Sequence, residues 1–390
     1  MRRGKSQNIE TSNRQNQDAL PDLLRESRTR VVFGAGALDR LGAIVCDEGA
    51  SRVLLVTDPG IVAAGHAARA LASLQSAGLE VTVFDGVEEN PTTEHVDAGV
   101  RVARAAAVDF LIGLGGGSSM DCAKGINFLL TGGGRMQDYW GVGKATGPML
   151  PMIAVPTTAG TGSEAQSFAL ITDPATHQKM ACGDQKAGCR GAVLDPDLIA
   201  TGPRPVAAAT GIDAVSHAIE TAGCTRRSEL SRSFSRAAWA RLEPAFEAAY
   251  RDPSDAAARE KMLLGAHLAG AAIEHSMLGA AHACANPLTA KYGIVHGVAV
   301  GVLLPHVIRF NAADGENPYA DLCEDARELA RRVEAMLDAA GLPRRLADCG
   351  ALPSDLAELA SAAAQQWTAK FNPRDVVERE LLEVYRSAFG

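Results

Sequence analysis

The sequence predicts an α/β domain built on a parallel sheet, followed by an all-helical domain, and three observations carry that reading. Over residues 29–198, short β-branched runs alternate with alanine-rich stretches of helical length, the pattern of βαβ units. After "AVLDPDL" (192–198) the strand signal stops, and alanine, leucine and charged residues recur at helical spacing to Gly390. At 390 residues the chain is long for one core and suits two domains, placed here at 29–198 and 199–390.

The opening "MRRGKSQNIETSNRQNQD" is polar and lacks the apolar stretch of a secretory signal, so residues 1–28 are expected to form a mobile polar tail. Strands are expected at "RVLLVTD" (52–58), "EVTVFDG" (80–86), "DFLIGLGGG" (109–117), "PMIAVPTT" (151–158) and "FALITD" (168–173). In the helical half, "RDPSD", "NPLTAKYG" and "AAGLPR" are expected to separate helices. Hydrophobic residues make up 47% of the chain, and no apolar run approaches the roughly 20 residues that span a bilayer. A formal charge of −8 offers no basic field, which argues against nucleic acid and anionic membranes as partners. The eight cysteines form no C-x-x-C pair, so free thiols in a reducing, cytoplasmic setting are expected.

Two loops at strand ends are rich in small residues. In "GLGGGSSMDCAK", Gly115, Gly116 and Gly117 remove side chains that would hold a phosphate away, and Ser118 with the N–H groups of the following helix can bind a pyrophosphate. The pattern falls short of G-x-G-x-x-G and follows the third of these strands, so a tight structural turn is the competing account. "PTTAGTGSE" (156–164) is the second such loop, and two on one sheet edge favour a nucleotide crevice. Asp58, ending "LLVTD", suits either a ribose hydroxyl or the cap of a helix starting at Pro59.

Asp213 and His217 in "GIDAVSHAIE" are four apart on an expected helix, so both project from one face and can grip one cation. That spacing is common on surfaces and is weak alone. His282 sits among small residues in "LGAAHACANPL", and Gly297 beside His296 permits a close approach. One carboxylate and three imidazoles suit Fe²⁺ or Zn²⁺. His267 and His306 read as structural.

The ordered set "FGAGALDRLG", "GGGSSMDCAK", "PTTAGTGSE", "GIDAVSHAIE", "LLPHVIRFN" and "FNPRDVVERELLEVYRSA" resembles the iron-containing, or group III metal-dependent, alcohol dehydrogenases over nearly the whole chain after the tail. The resemblance implies an N-terminal dinucleotide-binding domain, a helical metal-binding domain and a cleft site between them, the dehydroquinate synthase-like architecture. It implies Asp213, His217, His282 and His296 as ligands of Fe²⁺ or Zn²⁺. Gly116, Gly117 and Ser118 would bind the pyrophosphate, with Asp121 supporting that loop and Thr157, Thr161, Lys179 and Asn90 lining the rest of the site. Asp58 would favour NAD over NADP, because a carboxylate repels a 2′-phosphate. One departure stands out: where many members carry a second histidine one turn after the third ligand, this chain has Asn286. Asn286 is expected either to face the substrate or to cap the helix before Pro287. His275 is a second candidate catalytic group, or else a helix-surface histidine.

The implied activity is hydride transfer between NAD(H) and a small polar alcohol or aldehyde, an anionic one such as a phosphonoaldehyde included, with Arg190, Arg226 and Arg227 as candidate anion contacts. The expected assembly is a homodimer or higher homo-oligomer. The alternative is a metal-dependent lyase or cyclase of the dehydroquinate synthase type, which uses bound NAD transiently and shows no net turnover of free nicotinamide.

Overall fold

The computed structural model describes residues 20–176 and 178–390. Six short strands, β1 (Arg30–Phe33), β2 (Arg52–Val56), β3 (Glu80–Phe84), β4 (Phe110–Gly115), β6 (Met152–Pro156) and β9 (Gly191–Leu194), pair in parallel in the order β1-β9-β6-β4-β2-β3. Helices cover both faces, which is why the central strands are almost uninterrupted apolar runs. Within β2, Val53 and Leu55 enter one core while Leu54 and Val56 enter the other. The covering helices are α2 (Leu41–Asp47), α3 (Pro59–Ala63), α4 (His66–Ser76), α5 (Thr93–Ala105), α6 (Gly117–Gly132) and α7 (Pro196–Ile199).

Three expectations need correction. Residues 20–26 form a helix, α1 (Leu20–Glu26), where tail was expected; residues 1–19 lie outside the described residues. "FALITD" becomes β7 (Phe168–Thr172), yet it joins β5 (Gly141–Val142) and β8 (Lys179–Gly183) in a separate small sheet, antiparallel to β8. The short connection from Thr172 to Lys179 permits a hairpin but not the crossover of a dozen residues that parallel pairing needs. In the helical half the chain does not break at Pro287. Helix α11 (Ala280–Tyr292) runs through it and ends at Gly293, whose φ of +67° is a left-handed stop.

The helical half comprises α8 (Arg204–Gly223), α9 (Glu229–Arg251), α10 (Ala256–Glu274), α11 (Ala280–Tyr292), α12 (His296–Asn311), α13 (Ala326–Ala339), α14 (Leu356–Ala364) and α15 (Glu378–Phe389). Helix α8 is the hub, packed against α9, α10 and α12 and buried continuously from Gly211 to Gly223. Small residues set its distances. A Cβ on Gly297 would run into the Ala209 carbonyl, and one on Gly160 would meet the Thr210 side chain. Through that second contact the "PTTAGTGSE" loop of the first domain rests on α8, three residues before Asp213.

Candidate active site

Asp213 and His217 project from one face of α8, His282 enters from the first turns of α11, and His296 is the first residue of α12. Asp213 Oδ1 lies 3.4 Å from His217 Nε2, 3.5 Å from His282 Nε2 and 3.9 Å from His296 Nε2. The His217 and His282 rings stack at 5.0 Å, and His296 tilts against His282 at 5.3 Å. Asp213, His217 and His282 are buried, while His296 is half-buried and forms the solvent side of the cage.

A metal ion fits this arrangement. Asp213 Oδ1 and His282 Nε2 are buried without a hydrogen-bond partner, an expensive state for two polar atoms unless a cation joins them. Burial also holds His217 below the usual histidine range and pushes His296 down to about 3, keeping both imidazoles neutral with lone pairs free. Burial opposes ionisation of Asp213, but the three surrounding imidazoles outweigh it and keep the carboxyl well below the usual range.

Sequence reasoning missed Glu220. It sits on α8 one turn beyond His217, and its Oε2 lies 2.5 Å from His282 Nδ1 while Oε1 accepts from the Ala281 N–H at 2.7 Å. Burial alone would lower His282; the Glu220 and Asp213 carboxylates reverse that and push it up to about 9. Glu220 therefore orients the ring, fixes which nitrogen faces Asp213 and raises ligand basicity. The available signal was its spacing, three after His217 and seven after Asp213, which places it on the same helix face.

The glycine-rich loop leaves β4 and enters α6 with Gly116 at the N-cap and no side chain capping the first turn, so those N–H groups remain free for an anion. Gly115 has a φ of +150°, and a Cβ there would collide with Ser119. A Cβ on Gly117 would lie 2.7 Å from Thr161 Cγ2, so the two loops meet across a gap only a glycine leaves open. Asp58 Oδ1 caps α3 through the Ile61 N–H at 3.0 Å, and Oδ2 accepts from Ser119 Oγ at 3.0 Å. Thus the capping alternative is realised, with the carboxylate held against the floor of the loop. Asn90, at a φ of +54°, donates its N–H to Ser118 Oγ and accepts from Lys179 Nζ at 3.0 Å. Asp121 accepts from Ser163 Oγ at 2.5 Å and the Leu170 N–H at 3.1 Å. Lys124, unremarked in the sequence, is fully buried and spends its three donors on Ser163 O, Ser163 Oγ and Phe168 O. Together they tie α6 to the second loop, whose Thr157 lines a partly open, largely apolar pocket with Thr158, Ile199, Phe246 and Tyr250.

The remaining candidates separate. Asn286 is inside α11, not at its cap, and its Nδ2 donates to Gln366 Oε1 at 3.0 Å. His275 ends α10 and stacks on Phe234 at 5.8 Å, and it makes no hydrogen bond or ring contact with the four clustered side chains. His267 pairs with buried Glu164, and His306 bonds Ser387 Oγ at 2.7 Å, both structural as expected. Arg190 pairs with Glu48, Arg227 donates to the Gly223 and Cys224 carbonyls, and Arg226 lies 5.5 Å over the Phe371 ring.

A cage of three imidazoles and a carboxylate, linked through the "PTTAGTGSE" loop to a helix N-terminus with no side-chain cap, is the arrangement of a metal-dependent, nucleotide-linked oxidoreductase. The chain belongs to the iron-containing alcohol dehydrogenase family, matching it over residues 28–196 and matching that family's C-terminal domain over 207–389. It is 36% identical to a 1,3-propanediol dehydrogenase of Citrobacter freundii, over 92% of this chain and 96% of that one. A lactaldehyde reductase of Escherichia coli K12 is 33% identical over 92% and 97% of the two chains. The crystal structure of a 1,3-propanediol oxidoreductase superposes with a TM-score of 0.88 at 33% identity, covering 92% of this chain and 97% of that one. The protein is an alcohol dehydrogenase or aldehyde reductase, and its family implies iron as the metal.

Proposed function

We propose that the protein interconverts small polar aldehydes and alcohols using NAD(H) in preference to NADP(H), with Asp213, His217, His282 and His296 holding Fe²⁺. The pair of buried, unpartnered atoms on Asp213 and His282 carries this reading. A divalent ion held there supplies Lewis-acid stabilisation of a substrate oxygen. The protein's own part is positioning. The free N–H groups of α6 and Ser118 hold the pyrophosphate, Asp121 and Lys124 brace the two loops, and Asp58 excludes a 2′-phosphate. The largely apolar cavity beside Thr157 suits a flat base at the adenosine end. Asn286 cannot titrate near neutral pH, so the alcohol proton leaves by another route. Free thiols at all eight cysteines support a reducing compartment, and no helix among the described residues is long and apolar enough to cross a membrane. We extend the reading to a homo-oligomer in the cytoplasm.

The test is NADH and NADPH oxidation with a panel of small aldehydes after anaerobic loading with Fe²⁺ or Zn²⁺. His282→Ala is expected to abolish hydride transfer and to strip the metal while NADH still binds, because the nucleotide loops belong to the other domain. Full activity in a chelated preparation would overturn the reading.

A further inference from the structure

Arg28 and Arg190 line one pocket at the amino edge of the six-stranded sheet, the edge opposite the nucleotide loops. We propose that this pocket is an anion site, in which the two guanidinium groups together bind an oxyanion of phosphate size at the seam between the two halves of the chain. The site goes beyond the dehydrogenase reading and does not depend on it.

The position follows from the strand directions. Arg28 precedes β1 and Arg190 precedes β9, two strands paired in parallel with Arg30 opposite Gly191, so both residues lie at the amino edge. The loops assigned to the dinucleotide follow β4 and β6 and leave from the carboxyl edge. Helix α10 spans the distance between the two edges. Near its start Arg259 donates to the Pro196 carbonyl just past the end of β9, and its last residue, Glu274, reaches the pocket about 22 Å further along the axis.

A buried carboxylate organises the pocket. The Glu274 side chain is 7% exposed and accepts from Arg28 Nη1 at 2.9 Å, from the Ser167 N–H at 2.9 Å and from the Ser167 hydroxyl at 2.8 Å. Its oxygens are thereby satisfied, and the Arg28 guanidinium is fixed at the pocket wall. Arg190 is held by Glu48, which does not line the pocket, and by its backbone, whose N–H donates to the Met152 carbonyl and whose carbonyl accepts from the Arg30 N–H. Each guanidinium has used one of its five donors among the described residues.

The cavity between them is about 130 Å³, partly open to solvent, with the Gln166 and Gln185 side chains on its wall. At roughly 30 Å³ per water it holds about four, which an ion of phosphate size can displace. Two of the lining side chains are cationic and one is anionic, and the anionic one is already saturated, so donors are in surplus. Two planar forks favour an oxyanion, which accepts paired hydrogen bonds from each, over a halide, which cannot. An anion gripped by both arginines joins the approach to β1, the approach to β9 and, through Glu274, the end of α10. Its occupancy therefore ties the helical half to the sheet.

Calorimetric titration of inorganic phosphate into the iron-loaded enzyme saturated with NADH tests the site, with ionic strength held constant by sodium chloride. Bound NADH fills the α6 N-terminus, so phosphate held there does not contribute. Wild type is expected to bind phosphate saturably, and Arg28→Gln and Arg190→Gln should each weaken that binding tenfold or more. Arg101→Gln, which removes an exposed charge from α5, should leave it unchanged. At about ten times its Kd, phosphate should raise the wild-type Tm by about one to three degrees and that of Arg190→Gln by much less. Parallel titrations with sulfate and with glycerol 3-phosphate show, by which binds more tightly, whether the site takes a free oxyanion or the phosphoryl group of a larger molecule. Arg28→Gln also removes a partner from Glu274; should it not fold, Arg190→Gln, which leaves the Glu274 contacts in place, decides alone. No saturable phosphate binding in wild type, or equal binding in wild type and Arg190→Gln, overturns the site and leaves the dehydrogenase reading untouched.

Discussion

Glu220 never touches the ion site, yet it decides how His282 is presented, since it holds Nδ1 on one side and the Ala281 N–H on the other. Glu220→Gln keeps the shape but loses the charge, and is expected to lower iron affinity by about 10–100-fold. Iron retained after dialysis against graded chelator measures this, and unchanged retention would show the contact to be packing only. Asp58 caps α3 and, on the proposed reading, also repels a 2′-phosphate, so Asp58→Gly is expected to shift the NADH to NADPH ratio of kcat/KM toward NADPH and, through the lost cap, to cost a few tenths to about 1 kcal/mol of stability. A wild type that prefers NADPH would refute the selection argument. Asn286→His places an imidazole where an amide stands, and a new ionisation near the ordinary histidine range should enter the pH–rate profile. An unaltered profile would mean that position 286 is out of reach of the reacting proton. The four proposed ligands were legible as candidates because each carries a distinctive side chain in a recognisable motif. Glu220 and Gln366 were not, because a glutamate after "HAI" and a glutamine in "AAQQW" look like ordinary helix residues until folding brings distant partners to them.

Helix α12 joins two demands in one element, with His296 at its first position and Gly297 pressed on the Ala209 carbonyl immediately after. Gly297→Ala must push α12 away from α8, and a destabilisation of about 1–3 kcal/mol with a matching loss of bound iron is expected. Denaturant midpoints and metal analysis on the same samples would check it; a stable, fully loaded variant would mean the helices part without disturbing the cage. The same helix carries His306, held down to about 4 by burial first and by Arg309 second. Its folded value lies below its unfolded one, so its contribution is intact above about pH 6.5 and fades as the pH falls toward 4, because the unfolded chain takes the proton first. His306→Gln should flatten that part of the stability curve in urea titrations between pH 7 and 4.5. Parallel curves would assign the acid sensitivity elsewhere. Strands with apolar runs on both faces announced themselves in the sequence. Strand β8, "KMACG", did not, since no β-branched residue marks it and only its antiparallel partner β7 makes it a strand. The pairing direction of β7 was also invisible, being set by the short connection and not by its own residues.

At the scale of the molecule, a division at about residue 198 is proposed from where strand-forming residues run out. Sequence could not show that the "PTTAGTGSE" loop rests on α8, because that depends on absent side chains at Gly160 and Gly162 meeting Thr210 and Gly270. Those contacts join the halves, but the ion stabilises only one of them directly. Removing iron is expected to lower the melting temperature by several degrees, in line with about 3 kcal/mol for an ion at a hundredfold its Kd, while NADH fluorescence enhancement persists. Simultaneous loss of both would mean that the halves fold as one cooperative unit. The order of the ligands along the chain has a consequence for synthesis. A ribosome adding about 5–20 residues per second needs roughly 4 to 17 s to travel from Asp213 to His296. The two glycine-rich loops are complete before Asp213 is made, whereas the proposed cage stays open until His296 at the start of α12 emerges, so on this reading iron loading is a late event in synthesis.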